Sequence, residues 1–314
     1  MAAANHPLTS PSTMHDRHAP GLGLIIMATG FMIMTLTDGI AKFLTTELPA
    51  GEIAWGRFFF QSLLALPIVV ATTGWRSLIP QHVFGNVMRG LLMAGTTALT
   101  FIALKKLPLA DFVAIFFIQP FLLTILGAIV EREKVGWRRW LAIIVGFGGA
   151  ILVIQPSFVE FGLFSLMPVG AAVLFAIFML LNRRLRGSGG AMAMQTFAGL
   201  SGMASLTILL IAGHFTGVSD FTIVNPTLPQ WGLLATMGAI AALGHSMMIV
   251  AFRYATPVVL APTQYTQIIS STVFGLIVFG NFPNLGKWVG IVIIIACGIY
   301  VFRRETRAKA KVER

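Results

Sequence analysis

At 314 residues, 56% of them hydrophobic and 11% charged, the chain falls far below the roughly 25% charged residues of a soluble domain, and it reads as an integral membrane protein. A net charge of +11 would point a soluble chain toward nucleic acid. Here the basic residues stand in polar stretches between apolar runs, where they orient a chain in a bilayer, and nucleic acid is excluded as a partner. The single cysteine, Cys297, lies inside the last apolar run, which leaves no disulfide framework and no thiolate metal site.

The polar leader, residues 1–20, is expected to be disordered and uncleaved, because the first apolar run is long enough to span rather than be removed. A hydrocarbon core of about 30 Å takes about 20 residues per helix. On that measure the sequence divides into ten spans near 21–45, 50–72, 86–104, 109–130, 138–155, 161–181, 190–213, 230–251, 258–279 and 285–303. Ten spans put both termini on one side. With that side cytoplasmic, the cytoplasmic segments hold Arg17; Arg76 and Arg89; Arg132, Lys134, Arg138 and Arg139; Arg183, Arg184 and Arg186; Arg253; and the basic tail 304–314. The other side holds only Lys105, Lys106 and Lys287. The asymmetry predicts an inner-membrane protein with cytoplasmic termini.

In the first span, Asp38 and Lys42 stand four residues apart and share a helix face near its outer end. Ionisable groups inside a span normally face the bundle interior and mark a pathway; the other reading is an ion pair at the helix end, with Lys42 snorkelling. Glu52 and Arg57 open the second span, and an arginine at that depth needs a partner or a wet cavity. Asp111, just after Pro108, suits the first turn of the fourth span as a capping acid. Further along, Gln119-Pro120 falls mid-span, where proline removes a hydrogen bond and frees carbonyls.

His245, in the GHSMM stretch of the eighth span, is a candidate proton relay or a packed polar residue. The ninth span opens on Pro262-Thr263-Gln264-Tyr265-Thr266-Gln267, unusually polar for a membrane segment. Gln264 and Gln267 can face one way and Tyr265 offers a ring and a hydroxyl, either lining a cavity or gluing helices together. Gly146, Gly148, Gly149, Gly290 and Gly298 suit close packing by the fifth and tenth spans, and a homodimer contact is the other use for them.

The hairpin Ala103–Gln155 returns in diverged form at Ala251–Val301. Laying Ala103 on Ala251 also brings Gln119 onto Gln267 and Trp140 onto Trp288. With five spans per half, an odd number, the second half must enter the bilayer upside down. The expected fold is therefore an all-α membrane protein of two inverted five-helix repeats, 21–155 and 161–303, a plan on which secondary transporters place their substrate near the midplane. Phosphate-loop, paired-histidine and serine-elbow signatures are absent from the sequence, so neither enzyme chemistry nor a cofactor or metal is expected.

The run LPLADFVAIFFIQPFLLTILGAIVEREKVGWRRW, followed by a glycine-rich span and answered by RYATPVVLAPTQYTQ and FGN-P, resembles the drug/metabolite transporter superfamily, in its EamA-type ten-helix branch. The resemblance covers about residues 21–303 and implies an inner-membrane carrier of small organic solutes that works by alternating access. TDGIAKFL, the Arg-bearing second span and EKVGWRRWLAIIVGFGG look most like importers of S-adenosylmethionine and of riboflavin. Members of the branch often carry a Glu after the ninth span, matching Glu133 of the first repeat; here Asn281 stands in that place, which puts a symmetric acidic pair in doubt.

The expected cavity is lined by Asp38, Lys42, Arg57, Gln119, Gln264, Tyr265 and Gln267, with Glu52, Glu133 and His245 available for gating or coupling. The partners are a small-molecule substrate and the lipid bilayer. Asp38 and Glu52 balance Lys42 and Arg57, which leans toward a neutral, flat, hydrogen-bonding solute such as riboflavin. S-adenosylmethionine uptake, export of amino acids or toxic metabolites, and a non-transporting receptor are the alternatives.

Overall fold

The computed structural model describes residues 19–133, 135–185 and 189–312, with side chains described for all of these but 257, 258, 261 and 305–312. The leader up to residue 18, including Arg17, and the loop cations Lys134 and Arg186 lie outside the described residues. Among the described residues every regular element is helical. The helices are α1 (Pro20–Leu44), α2 (Ala50–Thr73), α3 (Val83–Leu104), α4 (Leu109–Phe116), α5 (Gln119–Val130), α6 (Trp137–Phe161), α7 (Met167–Arg184), α8 (Ala191–Thr216), α9 (Leu228–Ala251), α10 (Pro257–Leu260), α11 (Thr266–Phe279) and α12 (Leu285–Val312).

Local chemistry sets the helix ends. Proline falls in the first turn of α1, α5, α7 and α9, where its missing N–H removes no intrahelical bond. α9 also has a capping box between Thr227 and Gln230. α8 and α11 end on Gly217 and Gly280 with φ of 75° and 68°, a left-handed stop that side-chain-bearing residues resist.

Among the described residues, eight helical segments are long and apolar enough to cross a membrane. One of them, Trp137–Arg184, has 48 residues and would be about 72 Å long if continuous, more than twice the hydrocarbon core. It is two crossings, α6 and α7, joined by a turn of 3-10 helix at Gly162–Leu166. The segment 257–279, ninth in chain order, makes its crossing in three pieces: α10, a 3-10 turn at Ala261–Tyr265, and α11. The fourth crossing is also broken, between α4 and α5, immediately before Gln119-Pro120. Several helices outrun the apolar stretches that announced them: α6 continues through Pro156 to Phe161, and α12 runs through the basic tail to Val312.

Helix packing repeats between the halves. α1 lies along α9, as its counterpart α7 lies along α3; α3 packs on α8 as α9 packs on α2; α5 meets α7 as α11 meets α1. α2 with α8 and α6 with α12 are the self-paired contacts, and α4 with α11 joins the fourth crossing to its counterpart, the ninth. Exchanging spans one to five with six to ten therefore maps this set of contacts onto itself, as two inverted repeats require.

Small residues permit the closest approaches. A Cβ on Gly149 would come within 3.0 Å of the Gly290 carbonyl oxygen, so α6 and α12 touch backbone to backbone. Gly298 leaves room for the Tyr265 hydroxyl, and Gly146 for the ring of Phe121. Gly148 has no atom within 4 Å of the Cβ position and takes no part in this packing.

Two cations assigned to loops by the sequence lie inside the protein. Arg89 is part of α3 and 5% exposed, and Lys287, in the first turn of α12, is 7% exposed. Both fall close to a helix end, where hydropathy does not distinguish a loop charge from one folded inward.

Candidate functional site

The two broken crossings meet at their breaks. Phe117, the residue ending α4, packs its ring 5.2 Å from that of Tyr265, the residue preceding α11. The alignment that lays Gln119 on Gln267 also lays Phe117 on Tyr265, so these rings are repeat-related positions touching across the pseudo-twofold axis. Tyr265 is 8% exposed and reaches Gly298 of α12, and its hydroxyl is thereby engaged in packing. Gln119 opens α5 and is buried; Gln264 sits half-buried in the 3-10 turn before α11.

Beside the second break, α11 faces α1 through polar groups. Thr35 Oγ1 and Ser270 Oγ are 2.6 Å apart. One turn on, Gln267 Nε2 donates to Asp38 Oδ2 at 3.5 Å. Asp38 also feels the positive charge of Arg57 on α2, although no ion pair within 4 Å joins them among the described residues. Arg57 is 5% exposed, donates to Thr97 Oγ1 of α3 at 3.0 Å, and lies 5.2 Å from the centroid of the Phe58 ring. Asp38, Arg57 and Gln267 therefore come from three helices of both halves to form one charge-balanced group, with Arg57 buried and Asp38 and Gln267 half-buried.

The other sequence candidates are distributed around this group. Lys42 Nζ donates to the carbonyls of Leu104 at 3.0 Å and Leu107 at 2.6 Å, so it caps the C-terminal end of α3, with Phe279 under it at 5.5 Å. Glu52 accepts from the backbone N–H of Val224 at 3.2 Å, tying α2 to the segment before α9. Glu133 accepts from Arg183 at 2.9 Å, and Arg183 also pairs with Glu131, closing the α5–α6 loop onto α7. His245 lies beside Ala241 O with its Nδ1 at 2.8 Å; the Arg57 charge reaches it.

At the opposite end of α4, Asp111 is in the first turn as its position after Pro108 indicated, and it also accepts from Lys287 Nζ at 2.6 Å and from Ser157 Oγ at 2.9 Å. This buried bridge ties α4 to α12 and α6. It borders a cavity of about 170 Å³ that Asn281 and Glu160 also line. Asn281 thus faces a polar cavity with Lys287 in its wall.

Sequence reasoning passed over Thr35, Thr97 and Ser270, whose hydroxyls are common in membrane helices and carry no signal alone. It also passed over Gln61 and Ser62, which follow Phe58-Phe59-Phe60. Gln61 could have been found, since it stands four residues from Arg57 on the same face of α2. Among the described residues no group of three His, Cys, Asp or Glu side chains is placed to hold a metal.

A charge-balanced polar group at the junction of two inverted halves is the arrangement of a carrier's binding site, and residues 21–155 match the EamA-like transporter family. The chain as a whole is similar over most of its length to curated transporters. It is 28% identical to an S-adenosylmethionine uptake transporter of Rickettsia bellii (strain RML369-C) over 292 residues, covering 93% of this chain and 96% of that one. It is also 28% identical to a riboflavin transporter of Brucella anthropi over 262 residues, covering 83% and 90%. A solved structure titled "Crystal structure of protein" superposes with a TM-score of 0.62 at 18% identity, covering 90% of this chain and 98% of that one, a likeness of fold.

Proposed function

We propose that the protein is a secondary transporter of the inner membrane, with both termini cytoplasmic, that imports a small organic metabolite by alternating access of two repeats, 21–155 and 161–303. The site is the Asp38–Arg57–Gln267 group, with Gln119, Gln264 and Tyr265 on the neighbouring broken crossings. The observation that carries the reading is that this group joins α1, α2 and α11, helices of both halves. A rocking motion of one half against the other must therefore make or break it. The arginine excess at one end of the spans supports the orientation.

Riboflavin is the first candidate substrate. Asp38 and Arg57 offset one another, which favours a solute without net charge, and the neighbouring crossings offer flat rings and amide groups suited to a heterocycle with polar edges. The second candidate is S-adenosylmethionine, which rests on relatives of that name at equal identity. Both solutes join a flat nitrogen heterocycle to a hydroxyl-bearing tail. Accumulation of labelled riboflavin and of labelled S-adenosylmethionine, in cells lacking their own uptake, decides between them. Saturable riboflavin entry that depends on this protein supports the first reading; entry of S-adenosylmethionine alone replaces it with the second. Faster loss of preloaded solute with no entry makes the protein an exporter and overturns both.

A further inference from the structure

Among the described residues, four buried side-chain atoms have no hydrogen-bond partner: Gln61 Oε1, Ser62 Oγ, Arg89 Nε and Ser165 Oγ. Unpaired buried polar atoms destabilise a fold and call for an explanation. The first two are neighbours on α2, 5% and 3% exposed. They line one crevice of about 20 Å³ between α2, α8 and α9, whose walls also include Gln195, Thr196, His245 and Ser246. That volume suits one water or one hydroxyl.

Thr196 already donates its hydroxyl to Met192 O at 3.0 Å, and Ser246 donates to Ala242 O at 2.7 Å, so both oxygens are left with lone pairs only. His245 Nδ1 stands 2.8 Å from Ala241 O; a carbonyl can only accept, so Nδ1 carries the hydrogen, and in the neutral ring Nε2 accepts. Gln61 Oε1 adds a further acceptor, while the unpartnered Ser62 hydroxyl can both donate and accept. A cation is opposed by the Arg57 charge, which acts on His245 from the turn of α2 next to Gln61, and an anion by the row of acceptors. The group that fits is neutral and both donates and accepts, which is a hydroxyl.

Position agrees with chemistry. Gln61 lies about 16 Å along α2 at 1.5 Å per residue, near the middle of a core about 30 Å thick. It stands one turn from Arg57 on the same face. The crevice thus continues the Asp38–Arg57–Gln267 group toward the end where α8 begins.

We propose that the crevice between α2, α8 and α9 is the hydroxyl-reading subsite of the transport cavity, receiving the end of a neutral polyhydroxylated tail on the transported solute. This deepens the substrate reading above and rests on it. The ring of the solute then lies at the breaks of the fourth and ninth crossings, and its tail runs along the Arg57–Gln61 face of α2.

The test is uptake of labelled riboflavin, which carries a polyol tail, with unlabelled lumiflavin as inhibitor, whose ring bears a methyl group in place of the tail. It is run on the wild type, Gln61→Met and Ser62→Ala, each normalised to inserted protein, with a monodisperse profile in detergent required of each variant. Ser62→Ala is the milder change and keeps the test open if Gln61→Met does not insert. The expected result is a KM for riboflavin raised about tenfold, the size of one lost hydrogen bond, with lumiflavin inhibition within about twofold of the wild type. Both constants moving together overturns the proposal, because the residues then act on the ring or on the fold. Neither moving also overturns it and leaves the crevice to water. The wild-type arm is read first: if it takes up no riboflavin, the substrate reading has failed and the subsite falls with it, a result separate from normal uptake with indifferent variants.

Discussion

In the fourth crossing, the break between α4 and α5 faces α7 through aromatic rings: Phe112 against Phe116 at 5.8 Å, Phe116 against Phe175 at 5.4 Å, and Phe175 against Phe178 at 5.6 Å. In the ninth, the break before α11 faces α1 through Thr35, Ser270, Asp38 and Gln267. The backbones of the two crossings are related by the internal duplication, and the helix pairs occupy equivalent places in the bundle. Each of these interfaces draws on both halves, yet one supplies flat apolar surface and the other supplies hydrogen bonds and charge. On the proposed function, backbone symmetry would provide the alternating motion, and divergence of side chains would let a single asymmetric solute be held by two unlike walls.

The largest effect should come from removing the cation of the polar wall. Arg57→Met leaves Asp38 without the positive charge that acts on it and removes the bond to Thr97. Thermal unfolding in detergent should fall and uptake should be lost. The double variant Asp38→Asn/Arg57→Met should regain most of the thermal stability and none of the uptake, which separates folding from binding. Uptake by the double variant would mean that the polar wall has no part in transport.

On the aromatic wall, Phe175→Leu removes ring contacts on both sides, worth about 1.5 kcal/mol together. It should raise the KM for a flat solute while leaving the maximal rate near that of the wild type. A fall in rate at unchanged KM would assign these rings to the conformational change. The smallest effect belongs to Lys42→Ala. It uncaps the end of α3 at a cost of about 1 kcal/mol, visible as a modest drop in unfolding temperature, with KM within about twofold of the wild type. Lost uptake in stably inserted Lys42→Ala protein would return Lys42 to the binding site.

The spans were legible in the sequence because bilayer thickness imposes a length that composition displays. The duplication was legible because Gln119, Trp140 and their counterparts kept their spacing. Which charges meet was not legible. Lys42 bonds carbonyls 62 and 65 residues away, and Lys287 bonds Asp111 across 176 residues; helical periodicity reports which face a residue takes, not what stands opposite. Arg89 shows the same limit: three residues from Asn86, which it bonds at 2.7 Å, it turns inward over the Phe178 ring, while its sequence position is that of a boundary charge. Gln119 and Gln267 illustrate it most directly, since one repeat position gives Gln267 a bond to Asp38 and leaves Gln119 buried at the start of α5 with no such partner among the described residues.

That pair supports the most direct measurement of the account: riboflavin uptake kinetics of Gln267→Leu and Gln119→Leu side by side. Gln267 bonds Asp38, and losing a hydrogen bond to a charged group is worth a factor of about ten or more. Gln119 shares no hydrogen bond with a charged group among the described residues. The account predicts a KM raised at least about tenfold in Gln267→Leu and changed less than about threefold in Gln119→Leu. Equal losses in the two variants, or a greater loss in Gln119→Leu, would contradict the division of the site into a polar and an aromatic wall.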